Sequence, residues 1–364
     1  MLLLSREDIL SVFTMRDAIE ADKKAFVLHT KGKAVVPLRI NIETESKEGQ
    51  CMFMPAYVGG ELNMAGVKLV SYFPANAEKG IPVVPATVPL IDGTTGLVTA
   101  IIEGTTLTQI RTAAISGAAT ELLSNPDSKV AALFGTGGQA AAQLEALMTV
   151  RKLEEIRIFD ALPGRAAVFV EKQQQLADRF GVKLIEADNP KKAVTDADVI
   201  TTVTTSATPV FSNDDIKPGC HINGVGSYTP DKRELPTELL RRAGRIFVDN
   251  REAVLSEAGD FIIPMKEGLF SSDSIAGELG EPFSAALDPQ TGGYLQGIEG
   301  DMGRYESELP DHAKPRPIDM GGDRQTSILV DPAHEIFQRN AGGTDEEPLV
   351  ETFHFARLID DGLH

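Results

Sequence analysis

The rhythm of apolar and polar positions changes once along this chain, near residue 128. Before that point, five apolar runs (Val35 to Ile42, Gln50 to Val58, Met64 to Phe73, Val83 to Ile91 and Leu97 to Ile102) are separated by short breaks. Asp92-Gly93 and Gly96 mark a turn between the last two. Strand-length runs joined by tight turns predict a largely antiparallel sheet. Two helices precede it. Ser5-Arg-Glu-Asp8 and Thr14-Met-Arg-Asp17 each place a hydroxyl three residues before a carboxylate, the spacing at which each side chain satisfies a free backbone donor of a helix start. The second helix is expected to reach about His29 and stop before Gly32. An alanine-rich helix from Thr105 to Leu123 closes this half, halted by Asn125-Pro126-Asp127.

From Ser128 apolar strands alternate with helical periods: Val130–Phe134, a helix from Gln139 to Val150, Ile156–Phe159, a helix Arg165–Phe180, Val182–Ala187 and Asp198–Thr204, extended by His221–Val225 and Ile246–Val248. Strands that each wait for a helix before the next must lie parallel, so a doubly wound sheet is predicted. The fold class is therefore α/β: a Rossmann-type parallel domain beside an antiparallel α+β domain. The expected division is residues 1–118 and 119–325, with 282–325 an irregular segment rich in Gly, Pro and acidic residues, and 326–364 a candidate completion of the first domain. That last stretch holds apolar runs at Ser327–Val330, Pro332–Phe337 and Leu349–Leu358.

The sharpest local signal is Val130-Ala-Ala-Leu-Phe-Gly-Thr-Gly-Gly-Gln-Ala140, followed by Ile156-Arg-Ile-Phe-Asp160. A strand ends in Gly135 and Gly137, a helix opens, and a second strand ends in a carboxylate. Gly135 permits the tight turn and Gly137 a close backbone approach to a pyrophosphate, which then faces the positive end of the helix. Ala140 is the small residue in the third glycine position. Asp160 stands where a carboxylate receives ribose hydroxyls, which favours NAD(H), with NADP(H) as the alternative. Gly138, Gln139, Thr204 and Val225 complete the expected cofactor-binding set.

Composition narrows the partners. The 364 residues, 42% hydrophobic and 24% charged, can bury two cores, and a net charge of −18 opposes nucleic acid and anionic membranes as partners. Met1-Leu-Leu-Leu-Ser-Arg-Glu-Asp is too short for a signal-peptide core, and prolines interrupt the most apolar later run, so no membrane association and a cytoplasmic location are expected. Two isolated cysteines read as reduced core thiols, and the six scattered histidines leave no metal site expected.

Set side by side, several segments resemble the ornithine cyclodeaminase and mu-crystallin family. They are Met52-Phe-Met-Pro-Ala-Tyr57, Gly66-Val-Lys-Leu-Val70 with Phe73-Pro74, Thr108-Gln-Ile-Arg-Thr-Ala-Ala114, the glycine loop, Ile222-Asn-Gly-Val-Gly-Ser227 with Arg233-Glu-Leu235, and Ile275-Ala-Gly-Glu-Leu-Gly280. The resemblance implies an NAD(P)-dependent enzyme that interconverts a small L-amino acid and its imine, built as a homodimer through the antiparallel domain. It implies Lys68 as catalytic lysine and Arg39 and Arg111 as holders of the substrate carboxylate, a role suited to the planar guanidinium. By its bare sequence context, Lys68 inside an apolar strand needs a partner or a task, and each arginine could equally form an ion pair.

One departure redirects the chemistry. Where cyclodeaminases of the family place an aspartate after the Val-Gly-small run, Val225-Gly226-Ser227 is followed by Tyr228. A phenol is a poor base at neutral pH but can donate a proton or hydrogen bond. Reduction of an imine, Δ1-pyrroline-2-carboxylate or a related cyclic ketimine, is thereby favoured. Ornithine cyclodeaminase, an alanine-type dehydrogenase and a non-catalytic mu-crystallin-like binding protein are the alternatives.

Overall fold

The computed structural model describes residues 1–37, 39–45, 49–287 and 326–330. Both capping boxes form: Ser5 opens α1 (Arg6–Val12) and Thr14 opens α2 (Met15–Thr30), each exchanging hydrogen bonds with the carboxylate three residues on. The strands of the first sheet are β1 (Leu2–Leu4), β2 (Ala34–Val35), β3 (Ile40–Glu43), β4 (Gln50–Val58), β5 (Met64–Tyr72), β6 (Ala86–Asp92) and β7 (Val98–Glu103), ordered β1-β7-β6-β5-β4-β2 with β3 also on β4. All these pairings are antiparallel except that of β1, which lies parallel to β7.

Prolines account for the differences from expectation. The run Val35 to Ile42 is split into β2 and β3 around Val36-Pro37, since proline offers no N–H to a ladder. The run from Val83 becomes a strand only after Pro85. Pro89 stays inside β6, and there the β5–β6 pairing passes from Gly66↔Leu90 directly to Leu69↔Thr87. Lys68 stands in the stretch that is skipped.

The helix α3 (Gly104–Leu123) carries the chain out of this sheet, and the expected boundary at 118 falls inside it. Its small residues let neighbours close in: a Cβ on Gly117 would stand 2.7 Å from Ile19 Cδ1 of α2. At its C-terminal end, buried Arg151 donates to the carbonyls of Thr120, Glu121 and Ser124 at 2.8–2.9 Å, covering acceptors a helix end leaves open.

The second sheet is all parallel. Its strands are β8 (Val130–Phe134), β9 (Glu155–Phe159), β10 (Lys183–Glu186), β11 (Val199–Thr202), β12 (His221–Gly224), β13 (Arg245–Val248), β14 (Gly277–Glu278) and β15 (Ser327–Val330), ordered β10-β9-β8-β11-β12-β15-β13-β14. The helices with it are α4 (Ala140–Val150), α5 (Arg165–Phe180), α6 (Pro190–Val194), α7 (Thr237–Arg242), α8 (Arg251–Glu257), α9 (Gly259–Lys266) and α10 (Gly280–Leu287).

Two expectations are corrected here. Residues 282–287 belong to α10, not to an irregular segment; Phe283 packs on Phe26 of α2 with ring centroids 6.2 Å apart. Ser327–Val330 does not complete the first sheet but fills a slot between β12 and β13, burying Ile328 and Leu329. Residues 288–325, 332–337 and 349–358 lie outside the described residues. A buried polar chain fixes this arrangement: His221 meets Ser327 Oγ and Asn223 Oδ1, both at 2.9 Å, and Asn223 donates to Thr120 of α3 at 2.9 Å. Burial holds His221 down to a pKa of about 3, so the ring stays neutral.

Candidate active site

Strand order places the cleft. β8 and β11 are neighbours, but the chain leaves β8 towards β9 on one side and returns to β11 on the other, so loops diverge above their carboxyl ends. Gly135 takes φ +93° there, a conformation open to glycine, and its N–H donates to Phe159 O at 2.9 Å. A Cβ on Gly135 would lie 2.7 Å from Val203 O, so the loop presses on the β11 end. On the other side, a Cβ on Gly137 would meet no atom of the described residues within 4 Å, so among them the loop is open on that face. Gln139 precedes α4 without making a side-chain cap, and Ala140 is its first residue. The free N–H groups of α4 and the open loop fit a pyrophosphate. Gln139 Oε1 is buried beside it, without a hydrogen-bond partner among the described residues.

Asp160 is drawn onto the loop. Its Oδ2 accepts from the N–H of Thr136 at 3.0 Å and its hydroxyl at 2.6 Å, while Oδ1 accepts from Leu162 N–H at 2.9 Å. A carboxylate has about four acceptor positions, so capacity for a ribose hydroxyl remains. Across the cleft, Thr204 and Gly226 touch: a Cβ on Gly226 would fall 2.0 Å from Thr204 O. Val225, expected among the cofactor-binding residues, has its side chain fully buried in the core beneath, and its N–H donates to Thr202 O at 2.9 Å.

Lys68 sits on the inward face of β5 with Gly66 and Val70, only 7% exposed. An ammonium so placed is costly unless held by polar partners. Tyr72, further along β5, reaches the second domain: burial pushes the Tyr228 phenol above its usual range, and the nearby Tyr72 and Asp231 push it further. Burial raises Tyr72 as well. Tyr228 therefore stays protonated at neutral pH, as a donor. The strand of Lys68 and the loop of Tyr228 thus converge.

Arg39 is engaged by Glu257 of α8 at 2.6 Å, an ion pair between the two halves with side chains 16% and 14% exposed. Arg111 lies in the second turn of α3, half-buried; two residues earlier, Gln109 Nε2 approaches Gly138, 3.8 Å from where its Cβ would be. The Gln109 side of α3 borders the glycine loop.

Three participants carry no local sequence signal: Tyr72, Glu257 and Glu234. Glu234 stands in the quoted Arg233-Glu-Leu235 run, yet its full burial and its bonds to Thr204 and Gly226 arise only from the crossing of three loops.

The sequence profile of the ornithine cyclodeaminase/mu-crystallin family matches residues 1–288. The chain is 34% identical over 284 residues to a Delta(1)-pyrroline-2-carboxylate reductase of Bacillus cereus, covering 78% of this chain and 86% of that protein. It is 34% identical over 268 residues to the ketimine reductase mu-crystallin of Mus musculus, covering 74% and 80%. Among solved structures it resembles Thermococcus litoralis Delta(1)-pyrroline-2-carboxylate reductase in complex with NADH and L-proline, with a TM-score of 0.77, 32% identity, and coverage of 100% of this chain and 98% of that one. The chain belongs to the ornithine cyclodeaminase/mu-crystallin family.

Proposed function

We propose that this protein is an NAD(H)-dependent imine reductase whose substrate is Δ1-pyrroline-2-carboxylate or a closely related cyclic ketimine, reduced to the cyclic L-amino acid. The kinship with two named imine reductases over most of their length supports the reaction class. The observation that carries the direction is Tyr228, a protonated phenol where a base would be needed to strip a proton from an amine.

The residues divide the work. The glycine loop and the start of α4 hold the pyrophosphate, Asp160 the adenosine ribose, and the Thr204 and Gly226 backbone lines the nicotinamide side. NADH supplies a hydride to the imine carbon. Arg111 grips the substrate carboxylate in bidentate fashion, and Arg39, steadied by Glu257, assists it. Lys68 carries the proton at the imine nitrogen, so that the nitrogen ends as an amine while the carbon takes the hydride. Tyr228 donates a hydrogen bond that orients the ring. Overall, imine, NADH and one proton give amine and NAD+.

The dimer implied by the family suits a face of the first sheet that exposes apolar side chains among the described residues. Ile40, Phe53 and Leu69 face outward in one cross-strand row, and Ile42 is exposed beside them. Apolar area of this kind is stabilised by cover from a second copy. Among the described residues no helix is long and apolar enough to cross a membrane, and the two free thiols, Cys51 and Cys220, suit the reducing cytoplasm.

The deciding assay offers the purified protein Δ1-pyrroline-2-carboxylate with NADH and, separately, L-ornithine with NAD+, following nicotinamide absorbance and ammonia together. One NADH oxidised per L-proline formed is expected. Ammonia released from ornithine without net cofactor change, and no reduction of cyclic imines, would overturn the proposal.

A further inference from the structure

Beneath the Thr204–Gly226 side of the cleft lie two fully buried carboxylates that the chemistry above does not use, Glu234 and Asp260. Glu234 Oε1 accepts the Thr204 N–H at 2.6 Å; Oε2 accepts the Gly226 N–H and the Thr202 hydroxyl, both at 2.7 Å. One carboxylate thus ties the ends of two adjacent parallel strands, β11 and β12. Asp260 in turn holds Glu234: its Oδ1 accepts the N–H groups of Glu234 and Leu235, both at 2.8 Å. The Asp260 N–H donates to Ser227 Oγ at 3.0 Å, and that hydroxyl donates to Lys232 O at 2.8 Å. The ring of bonds closes on the residue before Tyr228.

We propose that Glu234 is the positioning residue of the hydride-transfer face: it locks the Thr204 and Gly226 backbones, and with them Tyr228, into one register, and Asp260 sets Glu234. Three donors converge on Glu234, two of them backbone N–H groups that cannot turn away. Burial raises the Glu234 carboxyl while these three donors oppose that shift, and the carboxylate is the form that accepts all three bonds at full strength. Asp260 Oδ2 is the one oxygen of the four without a hydrogen bond among the described residues, and it seats any proton the pair takes up. Burial, reinforced by Glu234, pushes Asp260 up to about 7, in accord with that seat.

The function of the staple rests on the reductase reading only for its kinetic arm. In Glu234→Gln the side-chain shape is kept, but the amide must point N–H groups at the Thr204 or the Gly226 N–H. Bonds to a charged acceptor are the stronger kind, and small misplacements of reacting groups are amplified in the rate, so kcat should fall about ten- to a hundredfold. KM for the imine and affinity for NADH should shift by less than about fivefold, because the glycine loop and Asp160 hold the distant end of the cofactor. With NADH deuterated at the transferred position, the isotope effect on kcat should rise, since transfer becomes slower than release. Thr202→Val removes a single donor, keeps the shape, and should show the same pattern more weakly. Asp260→Asn, which retains the Oδ1 acceptor, should recover most of what Asp260→Ala loses.

A purely structural role would instead lower the unfolding temperature of Glu234→Gln and Thr202→Val with kcat and the isotope effect unchanged, and that result overturns the proposal. The chain contains no tryptophan, so emission of bound NADH reports the nicotinamide surroundings without interference. Should the wild type not reduce imines at all, the function falls. The staple is then judged on that emission, which must differ between wild type and Thr202→Val or Glu234→Gln; identical spectra sink it.

Discussion

Asp160 gives the cleanest quantitative expectation. It accepts three hydrogen bonds from its own chain, two from Thr136 on the glycine loop and one from Leu162. Removing the side chain would therefore loosen the loop as well as the ribose site, and Asp160→Ala would confuse the two effects. Asp160→Asn separates them. Its carbonyl still accepts from Thr136, while the charge is gone. A hydrogen bond from a ribose hydroxyl to a charged acceptor is worth roughly 1.5–3 kcal/mol. A 2′-phosphate in the same place forfeits that bond and meets like charge across a half-exposed, screened site, adding about 1 kcal/mol. Together these amount to about 2.5–4 kcal/mol, on the order of a hundred- to a thousandfold preference for NADH in kcat/KM. In Asp160→Asn the ratio should contract at least tenfold, chiefly through better use of NADPH. The assay is kcat/KM for both cofactors at saturating imine, wild type beside variant. Equal efficiency of the wild type with NADPH, or an unchanged ratio in Asp160→Asn, refutes the assignment.

Three further outcomes test the site and its frame. Lys68→Met, which keeps the buried stem without the ammonium, should lower kcat/KM by about a hundredfold or more, whereas Tyr228→Phe should cost less than about tenfold; the reverse order in steady-state kinetics would exchange the two roles. His221 has a folded pKa depressed from 6.5 to about 3 by burial, so its contribution to stability is complete above 6.5 and declines as pH falls towards 3. By pH 5 the loss from this group is about 2 kcal/mol, and a His221→Gln variant, weaker at pH 7, should lack that slope in thermal unfolding. Ile40→Asp and Leu69→Asp should each shift the assembly towards monomer in light scattering; a wild type that is monomeric at micromolar concentration rejects the dimer face.

What sequence alone determined here is local. The hydroxyl-to-carboxylate spacings at Ser5 and Thr14 became real capping boxes because both partners lie within one helical turn. The glycine loop was legible because the positive φ of Gly135 favours glycine whatever packs beside it, and the parallel order followed from the alternation of strands and helices. Tertiary structure decided whatever joins residues far apart. Leu2–Leu4 is too short to announce itself as a strand, and becomes one only when β7, about a hundred residues later, offers its edge. Ser327–Val330 has no period that could choose between two sheets; the vacant slot between β12 and β13 chose for it. Arg39 and Glu257, Tyr72 and Tyr228, and Glu234 with Thr204 acquire their meaning from partners distant in sequence. A charged residue reads alike in sequence whether it faces water or is sealed beneath a loop. Only burial, which raises the cost of an unpartnered charge and the strength of a well-partnered one, separates Glu234 from a surface glutamate.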